Sequence, residues 1–416
     1  MSRVVVVGAG LGGLLAAIRL ADAGNQVTLI AKGLGGLPLS QGTIDVFGRD
    51  GRELVREPWE RLRSVRAGHP YAQIGAESVR EGLAYLRDLV GPEFLVGDGT
   101  SNLLLPTAVG ALRPTALVPP SMLAGAARPR RRWLIAGFEL LKDFSPALVA
   151  ENLNRTELPG GGRIRARAVT VRLAPRPGEA NPTAVAFARA FDTEEFRDRV
   201  VAALRPDLDD AEAVGLPAVL GLADAQVWRR LADALDCPVF EIPLPPPSVP
   251  GLRLDRRLRA IAADKGVRFV AGVGVVGFDA DGGRVTAIRT AAAGRPRRYP
   301  GDAFVLATGG FESGALELDS YGSVTETLFG LPLQGLDAGP LVHGDYWGAE
   351  QPLFSVGVRV GRDMRVVDAA GVVVHSNLFA AGGIIGGSSR WAEKSGDGIA
   401  VGSAVRAADS IVEELA

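Results

Sequence analysis

The chain has 416 residues, 54 of them glycine, well above the roughly 7% of ordinary usage. A hydrophobic content of 47% with 22% charged residues excludes a disordered chain, and 46 basic against 47 acidic side chains exclude a strongly basic nucleic-acid binder. The single cysteine, Cys237, excludes an internal disulfide framework and any four-cysteine zinc or iron–sulfur site on this chain, and it points to a reducing, cytoplasmic setting.

The length suits two packed units or one large elaborated one. With His69, His343 and His375 far apart as the only histidines, no metal centre is expected. The most apolar stretch, Val4 to Ile18, holds four glycines and falls short of the ~20 residues that a spanning helix needs. Any membrane contact is therefore expected to come through a partner.

Val4-Val5-Val6-Val7 is a continuous β-branched run, as in a parallel strand buried on both faces. It enters Gly8-Ala9-Gly10-Leu11-Gly12-Gly13, and Leu14 to Ala23 then carries apolar residues at helical spacing up to Gly24. Gln26 to Ile30 is a second strand. Strand, G-x-G-x-x-G, helix and strand form the dinucleotide-binding unit in its required context. Gly8 is expected to make the tight turn, Gly10 to let backbone approach a phosphate and Gly13 to let helix close on strand. The free amides of the helix start, at Leu11 and Gly12, face the anion.

A carboxylate for the ribose should follow about 20 residues on, at the end of the second strand. Thr28-Leu29-Ile30-Ala31-Lys32-Gly33 stands there instead. A lysine favours phosphate over ribose, so FMN, whose phosphate can use the glycine turn or Lys32, competes with FAD. The following loop offers Ser40, Gln41, Gly42 and Thr43 as donors toward a cofactor.

Glu77 to Val90 has the pattern of an amphipathic helix, and Arg128 with Arg130 to Arg132 reads as a solvated edge. Strands are expected at Trp133–Gly137, Arg163–Leu173, Ala218–Leu222 and Cys237–Ile242. Helices are expected after Ser145-Pro146, at Thr193–Leu204 and at Asp224–Leu235. Pro243 to Gly251 reads as a stiff crossing segment. A helix at Leu252–Asp264 follows, then strands at Val267–Gly272, Val285–Arg289 and Ala303–Ala307, the last running into Thr308-Gly309-Gly310. Asn377–Ala381 leads to Gly382-Gly383, and a helix runs from Ile399 to Glu414. Near Gly398 and Ile399, a helix N-terminus would stabilise the pyrimidine oxygen of a reduced flavin.

The expected fold class is α/β, a Rossmann-like FAD/NAD(P)-binding-type flavin domain with an inserted second α/β domain. Its parts are 1–130 and 251–416, with a cap segment at 314–370, and the insertion is 131–250.

The Gly8/Gly10/Gly13 unit, the strand ending Ala307-Thr308-Gly309-Gly310 and the strand Phe379-Ala380-Ala381-Gly382 resemble the two-domain flavoproteins of the succinate dehydrogenase type. Other stretches narrow this. They include Leu39-Ser40-Gln41-Gly42-Thr43-Ile44-Asp45, His69-Pro70-Tyr71, Leu112-Arg113-Pro114-Thr115, Lys142-Asp143-Phe144 and Phe187-Ala188-Arg189. Gly221-Leu222-Ala223-Asp224 and Pro245-Pro246-Pro247-Ser248-Val249-Pro250-Gly251-Leu252-Arg253 complete the set. Together they resemble the B-subunit family of the anaerobic glycerol-3-phosphate dehydrogenase, over essentially the whole chain.

That resemblance implies a flavoprotein with FMN, in a complex that oxidises sn-glycerol 3-phosphate to dihydroxyacetone phosphate and passes electrons to quinone. It also implies two partners: an FAD-bearing subunit, and an iron–sulfur subunit that ties the pair to the cytoplasmic membrane face. Glu393-Lys394-Ser395-Gly396-Asp397-Gly398 departs from the small-residue turn of the family pattern.

The cofactor contacts expected are Gly8, Gly10, Leu11, Gly12, Gly13, Lys32, Ser40, Gln41, Gly42, Thr43, Thr308, Gly309, Gly382, Gly383, Gly398 and Ile399. Oxidising a secondary alcohol needs a base for the hydroxyl proton while hydride goes to flavin. His69, His343 and His375 are the only histidines, with no choice among them; His69 and His375 are the candidates carried forward. Arg113 and Arg253 are candidates for a substrate phosphate, since a planar fork suits that dianion. Two rival readings stay open: a flavin relay without catalysis, and a free-standing FAD-dependent oxidoreductase.

Overall fold

The computed structural model describes every residue except 292–294, 338, 346 and 347. The chain divides into two compact units: Met1–Gly36, Asp45–Leu86 and Arg257–Ala416 form one, and Leu37–Ile44 with Arg87–Arg256 forms the other. The insertion thus reaches back to Arg87 and takes in 37–44, where 131–250 was expected. The expected cap, 314–370, falls within the first unit as short strands and turns, with residues 338, 346 and 347 outside the described set.

In chain order, the elements begin with strand β1 (Arg3–Val7), helix α1 (Leu11–Asp22) and strand β2 (Gln26–Ala31). Helices α2 (Pro70–Ile74) and α3 (Ala76–Val90) follow. Then come β3 (Arg132–Phe138), α4 (Pro146–Arg155), β4 (Arg165–Val171), α5 (Ala184–Phe191) and α6 (Glu194–Leu204). Next are β5 (Ala213–Pro217), α7 (Val227–Leu235), β6 (Val239–Ile242), α8 (Val249–Asp264) and β7 (Arg268–Ala271). The chain closes with β8 (Ala303–Leu306), β9 (Leu378–Ala380), α9 (Arg390–Glu393) and α10 (Gly396–Leu415).

The first unit is built on a five-stranded parallel sheet in the order β7-β2-β1-β8-β9. Val4 to Val7 are all at or below 5% exposure, which explains the unbroken valine run: both faces of this strand are covered. Helices α1 and α10 pack together and are tied by Arg19, whose Nε lies 2.9 Å from Asp409 Oδ1. An antiparallel sheet of Val275–Asp281, Arg284–Thr290 and Arg297–Pro300 also belongs to this unit. Only its middle strand stood out in the sequence.

The second unit carries a four-stranded parallel sheet in the order β6-β5-β3-β4. Its core is aromatic: Phe138 stacks on Phe187 at 4.8 Å, and Trp133 meets Phe240 at 4.8 Å. The strand expected at Ala218–Leu222 is corrected to Ala213–Pro217. Pro217 cannot extend the ladder, and 218–222 is a buried turn, with Val219 N–H on the Pro217 carbonyl and Gly221 N–H on the Val219 carbonyl. Helix α5 was not expected, and α8 starts at Val249, so Pro250 lies in its first turn rather than in a crossing segment.

Candidate functional site

The three glycines of the first turn do different work. Gly8 has φ +113°, and a Cβ there would stand 2.1 Å from the Ala307 carbonyl oxygen. At Gly13 a Cβ would stand 2.0 Å from the Gly8 carbonyl oxygen, so close packing of helix on strand requires its absence. Gly10 has nothing within 4 Å of such an atom. Two glycines serve the fold, and the third faces open space.

Helix α1 has Gly10 as its cap and no side-chain cap bond, so the N–H groups of Leu11, Gly12 and Gly13 have no acceptor within the helix. Thr308, which follows β8, lies beside Gly8, and its Oγ1 is buried without a partner. Gly12 stands against Gly382 (3.6 Å) and the Ala400 carbonyl oxygen (3.4 Å), measured from its absent Cβ. The turn after β1, the turn after β8 and the turn after β9 are thus gathered at the C-terminal edge of one parallel sheet. Open backbone, free amides and an unpartnered hydroxyl fit the phosphate and ring edge of a flavin.

Loop 33–36 borders the same turn. Gly35 has φ +81°, and a Cβ there would stand 2.5 Å from the Ala9 carbonyl oxygen; Arg259 Nη2 holds the loop through the Leu34 carbonyl at 2.6 Å. Lys32 is exposed at the end of β2. No carboxylate stands there: Asp22 accepts from Tyr85 Oη at 2.6 Å and pairs with Lys265, and Asp45 lies elsewhere, its carbonyl receiving the Gly398 N–H.

That last bond changes the role expected for the C-terminal turn. The Gly398 N–H is committed to Asp45 at 2.8 Å, and a Cβ at Gly398 would stand 2.2 Å from Tyr71 Oη. Glycine here makes room for the tyrosine, and Ile399 is wholly buried. The Tyr71 hydroxyl donates to the carbonyls of Val46 and Ser395. Burial, reinforced by the carboxylates of Glu393, Asp397 and Asp45, keeps that phenol protonated well above its ordinary value.

His69 sits in the same buried cluster. It caps α2, with Nδ1 accepting the Tyr71 N–H at 3.1 Å, and its Nε2 lies 3.1 Å from Glu393 Oε2. Those partners make Nδ1 an acceptor and face Nε2 to the carboxylate, and leave neither nitrogen free. Burial pushes the Glu393 carboxyl up, but hydrogen bonds from His69 and Ser395 and the nearby charge of Arg66 outweigh it and hold it below the ordinary range. His69 is corrected from a candidate base to a structural cap.

His375 is corrected too. It precedes β9, whereas Gly382 follows it, so it lies beyond the other end of that strand from the glycine turn. It is packed near Phe278 and Phe329, and burial lowers its basicity. His343 N–H and Nδ1 face Gln351.

The remaining candidates belong to the second unit. Gly42 has φ +76° and lies on Pro250 at the start of α8; Ser40 Oγ donates to the Leu37 carbonyl and accepts the Gly42 N–H, and Gln41 is half-buried between them. Thr43 is 4% exposed, with Oγ1 unpartnered. Arg113 lies on the strand Leu112–Thr115, paired with Leu103–Pro106.

Arg253 is corrected from a substrate-phosphate candidate. Buried at 7% exposure, it forks onto Glu241 at 2.8 and 2.9 Å and donates to the Gly221 and Leu220 carbonyls. Glu241 in turn accepts from Ser121 Oγ and the Leu220 N–H. This network pins the 218–222 turn and leaves no face for an anion.

Sequence reasoning missed Arg390. Its guanidinium lies over Gly383, where a Cβ would stand 2.1 Å from Nη1, and near Glu312 at 3.4 Å. Among so many arginines, nothing in the sequence set it apart. Tyr71 and Glu393 carry no signal of their own beyond the His69-Pro70-Tyr71 and Glu393–Gly398 stretches.

Residues 3–399 match the family model described as FAD binding domain. A probable anaerobic glycerol-3-phosphate dehydrogenase B-subunit of Halobacterium salinarum is 33% identical over 100% of this chain and 98% of its own length. The chain belongs to the anaerobic glycerol-3-phosphate dehydrogenase B-subunit family. The Yersinia pseudotuberculosis member is 30% identical over 99% of this chain and 98% of its own. Among solved structures, the 3-ketosteroid delta1-dehydrogenase of Sterolibacterium denitrificans covers 100% of both chains at 14% identity, with a TM-score of 0.46. The protein is a flavoprotein of the oxidoreductase class with an α/β FAD-binding fold. Among the described residues, no helix is long and apolar enough to cross a membrane.

Proposed function

We propose that this chain is the flavin-bearing B-subunit of a dehydrogenase that oxidises sn-glycerol 3-phosphate to dihydroxyacetone phosphate and delivers electrons to quinone. The observation that carries this reading is the end-to-end similarity to relatives named for that enzyme, at 33% and 30% identity. In that complex the chain would work beside two partners, one bearing FAD and one carrying iron–sulfur clusters that holds both at the cytoplasmic membrane face.

The cofactor we assign is FMN. Two observations support it over FAD: the end of β2 carries exposed Lys32 instead of a carboxylate, and the 33–36 loop closes on Ala9 and Gly10. The amides of Leu11, Gly12 and Gly13 and the Thr308 hydroxyl would hold the phosphate, with Gly309, Gly382 and Gly383 along the ring edge. A bound flavin supplies acceptance of a hydride equivalent. The chain's residues bind and orient it, and the buried Thr308 and Gly12 surroundings exclude water from one side.

A second reading is favoured by two placements: both ring nitrogens of His69 are engaged, and His375 precedes β9 while the glycine turn follows it. In it the chain relays electrons, and the alcohol proton is removed on the FAD-bearing partner. Glycerol 3-phosphate oxidation with an artificial acceptor separates the two. The catalytic reading expects turnover by this flavin-loaded chain alone; turnover only after the FAD-bearing partner is added assigns the chemistry there. No turnover by the assembled complex contradicts the substrate assignment.

A further inference from the structure

The N-terminus of α10 was the expected source of positive charge beside the flavin, and the structure commits that end elsewhere. Gly398 N–H donates to Asp45, Asp397 adds a carboxylate to the first turn, and Tyr71 fills the space beside Gly398. A cation stands at the neighbouring turns instead. Arg390, at the start of α9, lies along the backbone at the ends of two adjacent parallel strands. A Cβ at Gly383, after β9, would stand 2.1 Å from Nη1, and one at Gly310, after β8, would stand 2.9 Å from Nη2. Glycine at both positions lets the guanidinium lie against both turns.

Its ion-pair partner, Glu312, is 3.4 Å away with 64% of its side chain exposed, while the arginine side chain is 26% exposed. The same carboxylate accepts the Gly310 N–H at 3.3 Å, so Glu312 shares this turn with the guanidinium and offsets part of its charge from a solvent-exposed position. The guanidinium is fixed by packing at the sheet edge where the free amides of α1 and the turns after β8 and β9 gather.

We propose that Arg390 is the group that stabilises the negative charge a bound flavin gains on reduction. This rests on the flavin lying against the turns at Gly8–Gly13 and Gly382–Gly383. A hydride equivalent leaving the alcohol carbon brings two electrons and one proton to a neutral ring, which then carries one net negative charge; the hydroxyl proton goes to a base or to water. A preorganised cation with only 26% of its side chain exposed lowers the energy of that charge without reorganising.

Sulfite tests this without turnover. Its lone pair forms a bond to flavin N5, no electron leaves the adduct, and the negative charge appears on the same ring, bleaching the visible band. With the holoprotein, Arg390→Gln is expected to keep its flavin and to weaken sulfite binding about tenfold, with most of the affinity recovered in Arg390→Lys. An Arg390→Gln protein that holds flavin and binds sulfite like the parent overturns the proposal. Should that variant lose flavin, Glu312→Gln decides: about twofold tighter sulfite binding supports the role, and unchanged or weaker binding overturns it. A parent protein that takes up no flavin overturns the flavin reading as well, and only that result reaches both.

Discussion

At the scale of single residues, buried Glu241 and half-buried Glu393 carry opposite lessons about what a charged side chain is for. The Arg253–Glu241 pair is desolvated and fully bonded, so removing one partner strands the other. Arg253→Met is expected to destabilise the protein by about 3–5 kcal/mol in urea unfolding, with Arg253→Met/Glu241→Leu recovering part of the loss. A stable Arg253→Met protein with a raised KM for glycerol 3-phosphate would return the residue to a ligand role. Glu393 acts through protonation. Its folded-state carboxyl sits below the ordinary value of 4.5, so its contribution is complete above that value and is lost as pH falls through the depressed one. Glu393→Gln should flatten the acid side of a stability–pH curve; an unchanged acid limb would show that the pair contributes nothing.

At the scale of elements, the first turn separates fold from ligand. Gly10→Ala meets open space in an extended conformation, so we expect a melting curve within about 1 kcal/mol of the parent and a weakened flavin, by about tenfold. Gly8→Ala meets the Ala307 carbonyl at positive φ and should lose both stability and flavin. Equal loss of folding in the two variants would refute the distinction. Elements with strong periodicity or a continuous apolar run were legible beforehand: β1, α1, β2, β8, β9 and α10 all lie where the residues placed them. The strand at 213–217 was not, because Ala218-Val219-Leu220-Gly221-Leu222 is as apolar as a strand and its burial is sustained by Arg253 and Glu241 from distant positions. Helix α5 was missed because alanine and phenylalanine alternate without charge across Ala184–Phe191, Arg189 apart.

The candidate site was legible where backbone is the functional group and illegible where a side chain is. Glycine after a strand announces close approach, and the structure brings Gly8, Gly12, Thr308 and Gly382 to one end of one sheet. His69 and Arg253 look chemical in sequence because their partners, Glu393 and Glu241, are invisible until the chain folds. Arg390 is the reverse case, an ordinary arginine whose setting between Gly310 and Gly383 arises from tertiary placement alone.

At the scale of the whole molecule, the protein is expected to hold flavin in its own right and to need partners to reach quinone. The chain has one cysteine, so any iron–sulfur relay resides on another polypeptide. Mixing the flavin-loaded chain with its partners should raise quinone reduction from background to steady turnover in an absorbance assay, and the same mixture without this chain should stay at background. Full quinone reduction by the partners alone would remove it from the electron path. The most direct test of flavin binding by this chain is a visible absorption spectrum of the purified protein, followed by chromatography of the chromophore released by acid. The predicted result is a flavin spectrum with FMN as the released species, near one per chain. A colourless protein that takes up neither FMN nor FAD would contradict it.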